Sequence, residues 1–356
     1  MQWTLTEEQE AYRDTLRSWL ADVATTARVR QWLDDGDLRS FWDRLAAEGW
    51  SGVGSPESAG GQGGGVVELA LTAEELGRAA APDSTWLATV LVVAALGDAA
   101  EAVADALGGG GAALLVAAED LPTGAPRLSV DDEGRVSGRV SRVLGADTAQ
   151  TYLAVVRRGE SDELRLVRRG EGVSVTAHHP LDRSRDLGDV ELVDAPSQAV
   201  GAELDVAEAL DRATDLAGVL VAADSLGATE RMLEMAVEYS AQRHQFGVPI
   251  GSFQAVKHAA ATVEVGVEAA RSAVYYAAAS VDVAHEDSRL HAAAVKAQVG
   301  AAGVAASDSV LTIHGAIGYT WEHDLHLFYK RARLDAVLFG SVSLWNERLA
   351  DSLALV

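Results

Sequence analysis

The chain contains no cysteine among its 356 residues, which excludes a disulfide framework, a thiolate nucleophile and any cysteine-ligated metal; no metal site is expected. Basic residues are scarce as well. Lys and Arg number 29 against 53 Asp and Glu, giving a formal charge of -24 and a pI near 4.6. Such a chain repels phosphate backbones unless it gathers cations locally, so no nucleic-acid partner is expected. The local exception, Lys330-Arg-Ala-Arg333, reads as a charged helix end facing its last-turn carbonyls. Long hydrophobic runs are missing too: Thr85 to Leu96 is too short to span a bilayer and reads as buried helix. No secretory leader is visible at Met1-Gln-Trp-Thr4, and the expected location is cytoplasmic.

What is present is enough apolar text for a substantial core. Hydrophobic residues make up 48%, and the length exceeds what one core organises, so two or three packed units are expected. Residues 1–108 read as helices, with Leu16, Leu20 and Val23, then Phe41, Leu45 and Trp50, each keeping one face apolar. Gly108-Gly-Gly-Gly111 breaks that pattern. Residues 109–202 then carry short β-type runs at 113–117, 135–140, 151–156, 164–167 and 173–177, with turn residues between them. Residues 203–356 return to long Ala-rich helices, roughly 206–242, 253–284 and 287–313, as in a four-helix bundle that also makes oligomer contacts. The class is α+β, and no internal repeat is visible.

The segment Arg243-His-Gln-Phe-Gly-Val-Pro-Ile-Gly-Ser-Phe-Gln-Ala-Val-Lys-His258 joins two of those helices. Arg243 can fork onto paired phosphates, Phe246 offers an apolar face, and Gly247 and Pro249 stop the incoming helix. On residue chemistry alone this is an interhelical turn. Its wording, however, resembles the acyl-CoA dehydrogenase family, and the resemblance runs the length of the chain through Leu5-Thr-Glu-Glu-Gln9, Phe41 to Trp50, Pro56-Glu-Ser-Ala-Gly-Gly61, Glu74-Glu-Leu-Gly-Arg78 and His314-Gly-Ala-Ile-Gly-Tyr-Thr320.

The resemblance implies the acyl-CoA dehydrogenase fold: an N-terminal helical domain, a middle β-domain and a C-terminal four-helix bundle. It implies FAD as cofactor, an acyl-CoA substrate, and α,β-dehydrogenation with electrons passed to an electron-transferring flavoprotein, in fatty acid or steroid side-chain degradation. On this view Arg243, Gln245 and Phe246 reach the diphosphate side of a flavin held mainly by a neighbouring subunit. His314, Gly315, Ala316 and Gly318 form the glycine loop, and Ser341 lies beside the flavin. There are departures. Thr312 stands where most relatives have a Gln, and Ala316 replaces one loop Gly. The Ala118 to Ala125 and Arg142 to Gly145 segments keep little of the family's flavin-facing text.

The main departure concerns the base. Phe339 occupies the usual position of the catalytic Glu, and a phenyl ring takes no proton, although its backbone N–H could polarise a thioester. The family's alternative position falls near Ala217, which leaves Asp215, about 200° around the helix from it, as the one candidate base. Glu322 and Glu347 read as surface or ion-pair residues. Three readings follow from the resemblance. The chain is one subunit of a heterotetramer whose second acyl-CoA dehydrogenase-like subunit supplies the base; or it is a homo-oligomer with a displaced base or altered flavin chemistry; or it is an inactive scaffold subunit.

Overall fold

The computed structural model describes residues 4–353. The first helix, α1 (Glu7–Val23), starts at a capping box in which Thr6 Oγ1 accepts from Gln9 N and Gln9 Oε1 accepts from Thr6 N, so two orphan N–H groups are satisfied reciprocally. It buries Leu16, Leu20 and Val23 as their spacing requires. Helices α2 (Thr26–Asp35), α3 (Arg39–Ala47), α4 (Val66–Arg78) and α5 (Ser84–Leu96) complete the N-terminal helical part. The apolar stretch Ser84–Val103 has the length and composition of a membrane span, longer than the sequence suggested, but 67% of its most apolar 18-residue window is buried inside the molecule.

The β-part comprises β1 (Ala112–Leu114), β2 (Arg127–Val130), β3 (Arg135–Leu144), β4 (Thr151–Arg158), β5 (Ser161–Arg168), β6 (Val173–Ala177) and β7 (Leu187–Val200). Its order β4-β2-β3-β7-β5 returns to β4 through the β4–β5 pairing, so the sheet closes on itself; β1 extends the β2 edge of β4, and β6 pairs with β7. Alternation along β4 divides its side chains between two cores. Tyr152, Ala154 and Val156 enter the barrel, while Leu153 and Val155 join the helices. Two strands escaped the sequence reading. β2 is short, and β7 carries Asp, Glu, Gln and Pro196, which mask its extended conformation.

Helices α6 (Val206–Gln242), α7 (Gln254–Asp282) and α8 (Ser288–His314) pack on one another, and α9 (Leu325–Asp335) and α10 (Val342–Ser352) close the bundle against α6 and α8. Small residues on α6 serve close packing rather than a roomy pocket. A Cβ on Gly227 would lie 1.8 Å from Glu74 O, and one on Gly77 would lie 2.2 Å from Asp224 O, so α4 and α6 meet backbone to backbone.

Where the three parts converge, five charged side chains are buried together: Asp83, Arg185, Asp224, Arg331 and Asp335. Arg331 Nε donates to Asp224 Oδ1 at 2.7 Å and its Nη1 to Ala81 O at 2.7 Å, while Arg185 Nη2 reaches Asp335 Oδ1 at 2.9 Å. The basic run on α9 is therefore not a solvated helix end. Arg331 is sequestered because three buried carboxylates need compensation. Its neighbours differ: Arg333 pairs with Asp308, and Lys330 lies over the Trp321 ring.

Candidate functional site

Helix α6 stops where Arg243 turns to extended φ/ψ, its N–H still bonded to Tyr239 O at 2.8 Å. The chain then folds into a miniature hairpin, β8 (His244–Gln245) against β9 (Val248–Pro249), closed by Ile250 N donating to Arg243 O at 2.8 Å. The two residues at its tip, Phe246 and Gly247, have φ of +53° and +84°, as a two-residue hairpin turn requires. A phenylalanine there is unusual, and this one is 93% exposed, with Phe253 edge-on at 6.2 Å. Gln245 Nε2 donates to His244 O. The Arg243 guanidinium is exposed and makes no ion pair or hydrogen bond with a described residue.

The glycine loop lies at the same end of the bundle. His314 closes α8 and is buried, with Nδ1 2.9 Å from Val310 O and Nε2 unpartnered; burial holds its pKa below the ordinary value. Its ring stacks on Tyr239 at 4.8 Å and meets His323 at 4.7 Å. Because Tyr239 precedes Arg243 by one helical turn, this stack ties the loop to the arginine corner. Arg30 of α2 holds the loop's exit through Trp321 O at 2.6 Å and Asp324 at 2.7 Å. A Cβ on Gly315 would meet nothing within 4 Å, Ala316 is exposed and Gly318 is buried. Thr312 Oγ1 is bonded back to Asp308 O.

A guanidinium with no partner among the described residues, at the same end of the bundle as an open glycine, suits an external diphosphate. The surrounding surface is apolar: Phe246, Val248, Phe253, Ile317, Tyr319 and Trp321 are all exposed. Sequence reasoning missed Tyr239, Arg30 and His323. The only signal for Tyr239 was its place four residues before Arg243.

The remaining candidates lie apart from this corner in chemistry. Phe339 is 3% exposed with φ +53°. Its N–H donates to Ala118 O at 2.6 Å, Ala118 N donates to Arg142 O at 2.9 Å, and Trp345 Nε1 donates to Phe339 O at 2.9 Å. The three segments at which this chain departs from the family's flavin-facing and base-bearing text are thus bonded to one another, and the N–H that could have polarised a thioester is already spent. Asp215 is buried between Arg348 at 3.1 Å and Arg289 at 3.8 Å. Burial raises its pKa while Arg348 opposes the shift; it is an ion-paired carboxylate with no free approach for a substrate carbon. Ser341 Oγ caps α10 by accepting from Leu344 N at 3.3 Å. Glu322 and Glu347 are exposed.

Comparison with known proteins gives a consistent picture. Models of the acyl-CoA dehydrogenase N-terminal and C-terminal domains match residues 6–115 and 209–353. The acyl-CoA dehydrogenase IpdE2 of Mycobacterium tuberculosis is 33% identical over 94% of this chain and 94% of its own length. FadE34 of the same organism is 33% identical over 97% of this chain, which spans 48% of that protein. Among solved structures, the ChsE4-ChsE5 complex from Mycobacterium tuberculosis gives a TM-score of 0.86 at 26% identity, with 100% of both chains covered. The Tcur3481-Tcur3483 steroid ACAD variant gives 0.85 at 27%, with 99% of both covered.

Proposed function

The chain belongs to the acyl-CoA dehydrogenase family, and from that premise we propose that it is the non-basic subunit of a heteromeric, FAD-dependent acyl-CoA dehydrogenase. The observation that carries this reading is the seam at Phe339, where the place of the base holds a buried ring and the adjacent backbone is bonded to Ala118.

On this reading the chain's part is binding and orientation. Arg243 neutralises the paired phosphates of a flavin seated mainly in the partner, and Gly315 lets the backbone approach them. Phe246 and Phe253 pack against the partner and exclude water from the junction. When bound, FAD supplies hydride acceptance from the β-carbon of the acyl thioester. The α-proton goes to a carboxylate of the partner subunit, because the carboxylate candidates here are ion-paired or exposed. Electrons leave to an electron-transferring flavoprotein. Similarity to complexes of two different chains, one described as a steroid ACAD, supports a bulky, steroid-type acyl-CoA.

The test is purification of the chain alone and with the product of an adjacent dehydrogenase-like gene, with flavin absorbance recorded before and after acyl-CoA. We expect a colourless chain alone, and a yellow complex that bleaches. A yellow chain that bleaches by itself would establish a homo-oligomer with its own base. A colourless complex would establish a scaffold.

A further inference from the structure

On the far side of the glycine loop, a cleft of about 360 Å3 opens between α2, the loop before β7 and α9. Arg30, Asp182, Arg183, Trp321, His326 and Lys330 line it; Arg243 and the residues of the glycine loop do not. Trp321 is 63% exposed. Lys330 Nζ sits 3.7 Å from the indole centroid and pairs with no carboxylate among the described residues. On a chain of net charge -24, Lys330, Arg30 and Arg183 gather around the carboxylate Asp182, a local concentration of cations against the prevailing field.

The cleft's other polar groups are also incomplete. Lys330 Nζ is 3.3 Å from His326 Nδ1. An ammonium only donates, so Nδ1 accepts and the ring proton sits on Nε2, which has no partner. Burial, then Lys330 and Arg30, push His326 down to about 4, so it is a neutral donor at pH 7. Asp182 is buried; its Oδ1 accepts from Ser184 N at 3.0 Å and Ser184 Oγ at 2.7 Å, and its Oδ2 accepts from nothing. Buried polar atoms are seldom left so. The rim carboxylate Asp34 is held by Arg183 at 3.3 Å.

The unmet needs are one anion, one acceptor, one donor and one flat apolar face. A simple phosphate meets only the first two and sets an anion against Asp182. A hydrocarbon ring meets only the last. An aminopurine carrying a phosphate meets all four, since aromatic bases stack on indole and phosphate pairs with ammonium. We propose that this cleft binds an adenine nucleotide, with the purine on Trp321, its exocyclic amine toward Asp182 and its phosphate toward Lys330. The shared chemistry has two sources, a free nucleotide or the phosphoadenosine end of a coenzyme A thioester.

The test is calorimetric titration of the full chain with AMP, IMP, inorganic phosphate and coenzyme A, repeated on Trp321→Ala, Lys330→Gln and Arg243→Ala, with thermal melts to verify folding. AMP should bind saturably and more tightly than IMP, which lacks the amine. Trp321→Ala and Lys330→Gln should each weaken AMP about tenfold or more. Arg243→Ala should leave it unchanged, so failure here is separable from failure of the flavin corner. Competition by coenzyme A assigns the thioester as source, and lack of competition assigns a free nucleotide. No AMP binding, equal binding of phosphate, or loss of AMP binding on Arg243→Ala overturns the site.

Discussion

The Arg243 guanidinium has no partner among the described residues, so its replacement exposes what it does for a neighbour without breaking an ion pair among them. In the reconstituted complex, Arg243→Ala should cost a charge-assisted phosphate contact, about 1.5–3 kcal/mol, read as weaker flavin retention in an absorbance titration with an unchanged melting temperature. Tyr239 acts one step removed, as a positioning residue. Its ring stacks on His314 at 4.8 Å, and the distance between arginine and glycine loop depends on that stack. Tyr239→Phe should retain flavin, because the hydroxyl is not what stacks, whereas Tyr239→Ala should release it. Equal retention by both variants would remove Tyr239 from the site. Arg243 and Phe246 were legible because the motif names them. Tyr239 was not, because its meaning comes from a ring on a helix that ends some seventy residues later.

Between elements, the structure rests on a charged knot that no pattern disclosed. Asp83 lies before α5, Arg185 before β7, Asp224 on α6, and Arg331 and Asp335 on α9, and all five are buried. A buried ion pair is a weak source of net stability, but removing one partner strands the others. Arg331→Met should therefore lower unfolding stability by about 3–5 kcal/mol, measured as a shift in urea midpoint at unchanged m-value. A shift like that of an exposed arginine would show that the knot is hydrated. Helical periodicity located α6, α7 and α8 to within two residues, since Ala, Leu and Val at that spacing leave few alternatives. It could not disclose the β8–β9 hairpin, whose strands are two residues each and whose tip holds a phenylalanine in a conformation that favours glycine.

For the molecule as a whole, the pH dependence of stability has a defined sign at Glu74. This carboxyl is fully buried, accepting from Arg271 at 2.8 Å and Tyr275 at 2.8 Å. Burial outweighs Arg271 and pushes it from 4.5 up to about 7. The folded chain then keeps a proton that the unfolded chain has released, so stability falls as pH rises from about 4.5 to about 7, with the full loss above it. Glu74→Gln, which cannot titrate, should gain on the wild type across that window in paired denaturation curves. A constant difference between the two would mean that Glu74 ionises normally.

The amino-acid order by itself determined the helix, strand, helix succession and the arginine and glycine motifs, because periodicity and local turn chemistry are written in neighbouring residues. It also determined that no glutamate stands at position 339. Only the tertiary structure decided that Phe339 is bonded into a seam with Ala118, that Asp215 is held by arginines, and that Trp321, His326 and Lys330 share a cleft with Asp182. Each of those facts depends on side chains brought together from different helices and from the β-part, and such distances have no counterpart in spacing along the chain.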